Sequence, residues 1–324
     1  MIDLSVLADN LLSPTVLCFG LGVLARLVRS DLRFPEALTA GLSIYLLLAI
    51  GLKGGVSLRD GGAGLLGAAA LTLAVGAAIP VVVYNLARRI AAWPAGEAAS
   101  LAAHYGSTSA VTFLATMAFL ERNGQSVEGF MPALLAIMEV PAIVVGLALA
   151  RRSGSCGSET SGSLGGVLAH VVTGKTVLLL LGGMLIGWGS APHGLEAVMP
   201  FFTEPFAGIL ALFLLELGLI AGASLNELRR RALFLVPFGI VAPLVFGGLS
   251  VMAGCAIGLS PGGATAFGIL AGSASYIAAP AAMRMACPDV NHGLALSASL
   301  GVTFPFNLAF GIPILASVAN WCAG

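Results

Sequence analysis

The sequence predicts an all-α polytopic membrane protein, with ten transmembrane helices in a 5+5 inverted repeat. Three observations carry this prediction: an apolar composition, ten apolar segments long enough to cross a bilayer, and short sequences that recur in order in both halves. The chain of 324 residues is 58% apolar and 9% charged, with a mean hydropathy of +1.00. Soluble domains carry about 25% charged residues. The formal net charge of zero also argues against a basic groove for nucleic acid.

The predicted spans follow from the apolar segments, because a membrane helix needs roughly 20 mostly apolar residues. Helix starts are marked where Pro14 follows Ser13 and where Pro35 precedes Glu36, since proline suits a first helical turn and an acidic residue suits the helix N-terminus. In chain order the spans are 13–29, 35–53, 61–89, 98–121, 128–151, 174–189, 201–224, 232–258, 262–286 and 291–319.

The longest interruption between spans is RRSGSCGSETSGSLGG, at residues 151–166. Its Gly and Ser content is typical of a flexible linker. It divides the chain into a first repeat at 1–152 with spans one to five, a cytoplasmic linker at 153–173, and a second repeat at 174–324 with spans six to ten.

The positive charges orient these spans. When each Lys and Arg is assigned to its nearest loop, 12 of the 15 fall on one side, including the three arginines at 229–231. The other side receives Lys53, Arg59 and Arg122. Cytoplasmic loops carry the excess of Lys and Arg, so the first side is predicted to be cytoplasmic and both termini to lie outside.

The two halves share short similar sequences in the same order. The pairs are TVLCFGLGVL (15–24) with TVLLLLGGML (176–185), GLKGGVSLRD (51–60) with GLIAGASLNE (218–227), and GSTS (106–109) with GSAS (272–275). Five spans per repeat insert the second copy upside down, and inverted repeats of this kind are typical of secondary transporters. The alternative is a plain helical bundle with chance similarity.

Each repeat carries one Gly-Ser-x-Ser step inside an apolar span, in spans four and nine. Gly is conformationally loose and Ser favours a cap over a helix interior, so both spans are predicted to break into half-helices. Inversion would aim two positive helix ends and their free N–H groups at one point near the membrane midplane, which suits a small anion. The alternative is that small residues only allow close helix packing. The predicted substrate-binding residues are Gly106, Ser107, Thr108, Ser109, Gly272, Ser273, Ala274, Ser275 and Tyr276.

The stretches AAHYGSTSAVTF, GLKGGVSL and GSASYIAAPAAMR resemble the sodium-dependent bicarbonate transporter family (SbtA-type), and the similarity extends from SPTVL to the last helix. The resemblance implies a gate part and a core part, a homotrimer in the bacterial cytoplasmic (inner) membrane, and Na⁺-coupled uptake of bicarbonate. It also implies that a cytoplasmic PII-like trimeric regulator can control such a protein.

Two carboxylates, Glu139 and Glu216, lie inside predicted spans, where an ionisable group is a functional candidate. Pro141 frees a backbone carbonyl near Glu139, and oxygen ligands suit Na⁺. The corresponding place in span ten offers Thr303 and Asn307, so the Na⁺ candidates are Glu139, Thr303 and Asn307. The alternative is that Glu139 is protonated or paired and only joins helices. Glu216 is interpreted as structural.

The sequence contains neither a P-loop nor an HExxH motif, so ATP hydrolysis on this chain is not expected to drive transport. The prediction is therefore a non-enzymatic protein without a cofactor, in which Na⁺ is the coupling ion. The leading hypothesis is Na⁺-dependent bicarbonate symport by alternating access. A carrier of another small anion on the same fold, and a channel or sensor, are the alternatives.

Overall fold

The computed structural model describes residues 4–59, 64–155, 164–228 and 232–323, and the regular structure of this part of the chain is helical. The helices, in chain order, are α1 (Leu4–Leu11), α2 (Pro14–Leu27), α3 (Glu36–Leu58), α4 (Leu65–Arg89), α5 (Ala95–Gly106), α6 (Ala110–Arg122), α7 (Met131–Arg152), α8 (Leu164–Val172), α9 (Lys175–Gly189), α10 (Pro192–Thr203), α11 (Phe206–Leu228), α12 (Ala232–Ala256), α13 (Pro261–Ala271), α14 (Ala278–Ala286) and a C-terminal helix (Gly293–Cys322). The three arginines at 229–231 lie outside the described residues.

Six described helices are apolar and long enough to cross a bilayer: α3, α4, α7, α11, α12 and the C-terminal helix. A seventh candidate is the pair α1 and α2, which is bent by 50°. Of the remaining predicted spans, four and nine are each broken into two helices, and α9 is only 15 residues long. The membrane-protein class agrees with the sequence prediction, whereas the count of ten spans stays a prediction.

Two helix starts confirm the local sequence signals. Ser13 caps α2, with its hydroxyl accepting a hydrogen bond from the Val16 N–H at 3.5 Å, and α3 begins directly after Pro35. The predicted span 201–224 differs, because α10 occupies its first residues and α11 starts only at Phe206. Pro205 lies at this interruption, and because proline has no backbone N–H it cannot donate the hydrogen bond that would continue α10.

The predicted linker at 153–173 is helical in part. Residues 164–172 form α8, because the stretch LGGVLAHVV is apolar and follows the Gly/Ser-rich run. Residues 156–163 of this linker lie outside the described residues.

One set of helices joins the two halves of the chain through glycine contacts. Helix α2 packs against α11, and α3 packs against α9. A Cβ added at Gly22 would overlap the carbonyl oxygen of Leu215, and one added at Gly187 would overlap that of Leu52. Glycine at these positions therefore lets the backbones approach closely, as is common where membrane helices associate.

A second set of helices has the same arrangement in each half. Helix α4 packs against α5 and α7, and α12 packs against α13 and the C-terminal helix. In each half a proline inside the longer helix contacts the glycine at a break. Pro80 of α4 lies against Gly106, and the carbonyl of Pro243 in α12 lies against Gly272. Each break therefore has a proline of the adjacent long helix beside its glycine.

Candidate functional site

The first break separates α5 from α6 and is formed by the predicted serines. Helix α5 ends at Gly106, and the backbone is extended at Ser107 (φ −84°, ψ 169°) and Ser109 (φ −102°, ψ 110°). The Ser109 hydroxyl accepts a hydrogen bond from the Thr112 N–H at 3.1 Å and so caps α6, which begins at Ala110. The predicted start of this half-helix is confirmed.

The second break separates α13 from α14. Helix α13 ends at Ala271 and α14 begins at Ala278. The Ser275 hydroxyl accepts a hydrogen bond from the Ala279 N–H at 3.1 Å, which satisfies one of the free donors in the first turn of α14. Both breaks therefore use a serine side chain to begin the following half-helix.

The two breaks lie directly against each other; residues 106–109 and 272–276 are called the crossing below. The Ser109 N–H donates to the Ser273 hydroxyl at 3.0 Å, and the hydroxyls of Thr108 and Ser273 are 3.2 Å apart. The Ser275 N–H donates to the carbonyl of His104 at 2.8 Å. The sequence predicted that the two steps meet, and these contacts agree with it.

The crossing brings together all nine residues predicted to bind substrate. Tyr276 is partly buried, and the others are fully buried. The buried set is Gly106, Ser107, Thr108, Ser109, Gly272, Ser273, Ala274 and Ser275.

Several buried polar atoms in and beside the crossing accept or donate no hydrogen bond within the described part of the chain. They are Ser107 Oγ, Thr112 Oγ1, Asn307 Oδ1 and His104 Nε2. A buried polar group left without a partner costs about 1–3 kcal/mol, so native structures keep few of them. These atoms lie in and beside the predicted substrate site, and the assignment of that site stays a prediction.

The C-terminal helix brings Thr303 and Asn307 to the same region. Tyr105 donates to the Thr303 hydroxyl, with the oxygens 2.7 Å apart, and Thr303 donates to the carbonyl of Gly239 at 2.8 Å. The Asn307 Nδ2 donates to the carbonyl of Gly272 at 2.8 Å, which ties this helix to the second break. Both residues belong to π-helical stretches, Ser299–Thr303 and Asn307–Gly311, a geometry often found at functional sites.

Glu139 is buried on α7, with 3% of its surface exposed, as expected for a residue inside a span. Among the described residues, no hydrogen bond joins Glu139 to Thr303 or to Asn307. The proposal that these three residues share one cation therefore stays a prediction, with Thr303 and Asn307 the two that lie beside the crossing.

The sequence reasoning missed the buried His292, which is linked to His104 of α5 through Ser100. The Ser100 hydroxyl is 2.8 Å from His292 Nδ1, and His292 Nε2 is 3.0 Å from the carbonyl of Cys287. His104 Nδ1 is 2.7 Å from the carbonyl of Ser100. The i, i+4 spacing of Ser100 and His104 was the available signal, but nothing local points to His292.

The sequence reasoning also missed the pentapeptide GLSPG at 258–262, which has the GxSxG spacing found in hydrolases. Its serine, Ser260, is the N-cap of α13: the hydroxyl accepts from the Gly263 N–H at 3.0 Å. The Glu128 carboxylate accepts from the Ser260 N–H at 2.6 Å. This hydroxyl is therefore engaged in helix capping.

Comparison with known proteins gives one family. A family model described as the Na⁺-dependent bicarbonate transporter superfamily matches residues 14–320, which is nearly the whole chain. No match was found among the curated proteins.

Proposed function

The chain belongs to the Na⁺-dependent bicarbonate transporter superfamily, and from this premise we propose that it takes up bicarbonate by symport with Na⁺. The proposed substrate site is the crossing. The observation that supports this site is a group of buried polar atoms without hydrogen-bond partners among the described residues, in and beside the crossing. Ser107 Oγ and Asn307 Oδ1 are among them. Bicarbonate is a small planar monoanion with both donor and acceptor oxygens, so it can satisfy several such groups at once.

The chemistry of the crossing fits an anion that must be released again. Two half-helices, α6 and α14, begin there, and a helix N-terminus favours a negative charge through its free N–H groups and its dipole. Hydroxyl groups add neutral donors. A site of this kind holds an anion without a buried cationic side chain.

The proposed coupling ion is Na⁺, held near the crossing by Thr303 and Asn307, with Glu139 as the carboxylate candidate. Oxygen ligands from hydroxyl, amide and carboxylate groups suit this hard cation. The π-helical stretches support this placement, because a π-helical turn disrupts the regular i→i−4 hydrogen bonding and leaves carbonyls available nearby.

The two sets of helices support a mechanism of alternating access. Helices α2, α3, α9 and α11 would form the gate, and the broken helices with α4, α7, α12 and the C-terminal helix would form the moving core. The equivalent packing of the two halves supports the inverted 5+5 repeat. The proposal extends to a homotrimer in the bacterial inner membrane, with both termini outside and a PII-like regulator on the cytoplasmic face.

Uptake of radiolabelled bicarbonate into proteoliposomes tests this function. Uptake that requires an inward Na⁺ gradient and saturates with bicarbonate is expected. Equal uptake with K⁺ in place of Na⁺ would refute Na⁺ coupling. If another small anion inhibits labelled bicarbonate uptake at lower concentrations than unlabelled bicarbonate does, that anion is favoured as the substrate. Flux that never saturates would favour a channel.

A further inference from the structure

A cavity of about 380 Å³ reaches the second break from one side of the protein. Its walls come from α3, α9, α11 and the C-terminal helix, and it includes Tyr276 and Ile277 of the second break. Glu36 and Lys175, which begin α3 and α9, lie at its edge. By the distribution of positive charge this is the side predicted to face the cytoplasm. The cavity therefore borders the second break at Tyr276 and Ile277 and has Glu36 and Lys175 at its edge.

Glu216 lines this cavity and is 8% exposed. Its Oε1 accepts a hydrogen bond from the Thr39 hydroxyl at 2.5 Å. Its Oε2 is buried and accepts no hydrogen bond from any described residue. Ser43 lies four residues after Thr39, on the same face of α3, and also lines the cavity. The carboxylate thus has one hydroxyl bonded to it, a second hydroxyl in the wall of the same cavity, and one oxygen without a hydrogen-bond partner among the described residues.

The charges around the cavity oppose the passage of an anion. The charged residues that line it are Glu36, Glu216 and Lys175, so two carboxylates face one ammonium group. Charges interact more strongly in a partly buried site than in water, because the effective dielectric constant is lower. A bicarbonate ion moving between the crossing and this cavity would therefore be repelled by Glu216 unless the carboxylate were neutralised.

We propose that Glu216, Thr39 and Ser43 form a second Na⁺ site, and that Na⁺ bound there neutralises the passage for bicarbonate. The inference rests on the proposed function, which it deepens by adding a cation site outside the crossing. Two carboxylate oxygens and two hydroxyls are hard oxygen ligands of the kind that Na⁺ takes, with water completing the shell. Na⁺ supplies the partner that Oε2 lacks, and its positive charge makes anion movement depend on the cation.

Equilibrium binding of radiolabelled Na⁺ to purified protein in detergent, without bicarbonate, tests the site directly. Glu216→Gln keeps the shape and removes the charge, and we expect at least about a tenfold loss of affinity at one Na⁺ site. Glu36→Gln is the matched control, because Glu36 lines the same cavity but is exposed. It should leave Na⁺ affinity within about twofold, since an exposed carboxylate is well screened. Thr39→Val is the second variant if Glu216→Gln fails to fold, and it should weaken the same site.

Transport supplies an independent readout. Because Gln is permanently neutral, bicarbonate uptake by the Glu216→Gln variant should persist and depend less steeply on Na⁺ concentration than uptake by the wild type. Unchanged Na⁺ binding in Glu216→Gln, or equal losses in Glu216→Gln and Glu36→Gln, would overturn the site. If wild-type uptake requires Na⁺ while both variants behave like wild type, this inference fails and the proposed function stands. If wild-type protein neither binds Na⁺ nor requires it for uptake, both fail.

Discussion

Replacement of Ser107 by alanine separates ligand binding from protein stability. The Ser107 side chain is 1% exposed, and its hydroxyl makes no hydrogen bond within the described residues. Ser273, also in the crossing, is different: its hydroxyl accepts from the Ser109 N–H and donates to the carbonyl of Leu270 at 3.3 Å. Replacement by alanine is therefore expected to weaken substrate binding without loss of stability at Ser107, and to lower stability at Ser273.

The expected magnitudes follow from these contacts. A hydrogen bond to a charged partner contributes about 1.5–3 kcal/mol, and 1.4 kcal/mol is a factor of ten in affinity. Ser107→Ala should therefore raise the half-saturation concentration for bicarbonate roughly 10- to 150-fold. Its free energy of unfolding should not fall, because no internal hydrogen bond is lost. Ser273→Ala leaves a buried backbone N–H without a partner and should lower that free energy by about 1–3 kcal/mol.

The assay combines uptake in proteoliposomes with thermal unfolding in detergent. Wild type, Ser107→Ala and Ser273→Ala are compared at one saturating Na⁺ concentration. A Ser107→Ala variant with wild-type half-saturation would show that its hydroxyl does not contact the substrate. A Ser107→Ala variant that unfolds as readily as Ser273→Ala would contradict the assignment of an unpartnered hydroxyl.

Three further substitutions test other parts of the structure. Glu139→Gln should shift the Na⁺ concentration dependence of uptake, and an unaltered curve would leave that carboxylate a structural role. Asn307→Ala removes the hydrogen bond to the Gly272 carbonyl and should raise the half-saturation concentrations of uptake for both Na⁺ and bicarbonate. If neither concentration changes, Asn307 does not belong to the site. Gly22→Ala forces a Cβ against α11 and should lower the melting temperature, at a cost of about 1–3 kcal/mol. Gly20→Ala on the same helix, where a Cβ meets nothing within 4 Å, is its control, and equal effects would contradict the close packing.

The sequence was informative where chemistry is local. A Gly-Ser-x-Ser step in an apolar span predicts both a break and a serine cap, because Gly weakens the helix and the Ser hydroxyl offers the cap. The cap at Ser109 and the hydrogen bond from the Ala279 N–H to the Ser275 hydroxyl follow from that reasoning. The meeting of the breaks was predicted from the proposed inverted repeat, since equivalent positions close to a two-fold axis would be neighbours.

The sequence predicted fewer contacts for residues far from the predicted two-fold axis. Glu139 and the Thr303 to Asn307 stretch are also equivalent positions in the predicted repeat, but a two-fold axis would make equivalent residues neighbours only when both lie near it. The contacts of Asn307 with Gly272 and of Thr303 with Tyr105 depend on how the C-terminal helix packs, which no short pattern encodes. Likewise, the bend between α1 and α2 and the separate helix α10 arise at short interruptions that hydropathy averages over.

The pairing of α2 with α11 has a consequence for biosynthesis. About 180 residues separate the end of α2 from the start of α11, and at about 5–20 residues per second the ribosome needs on the order of ten to forty seconds to make them. During that interval the glycine face of α2 has no α11 to pack against. The close contact between Gly22 and Leu215 therefore forms only after the second half of the chain has been synthesised.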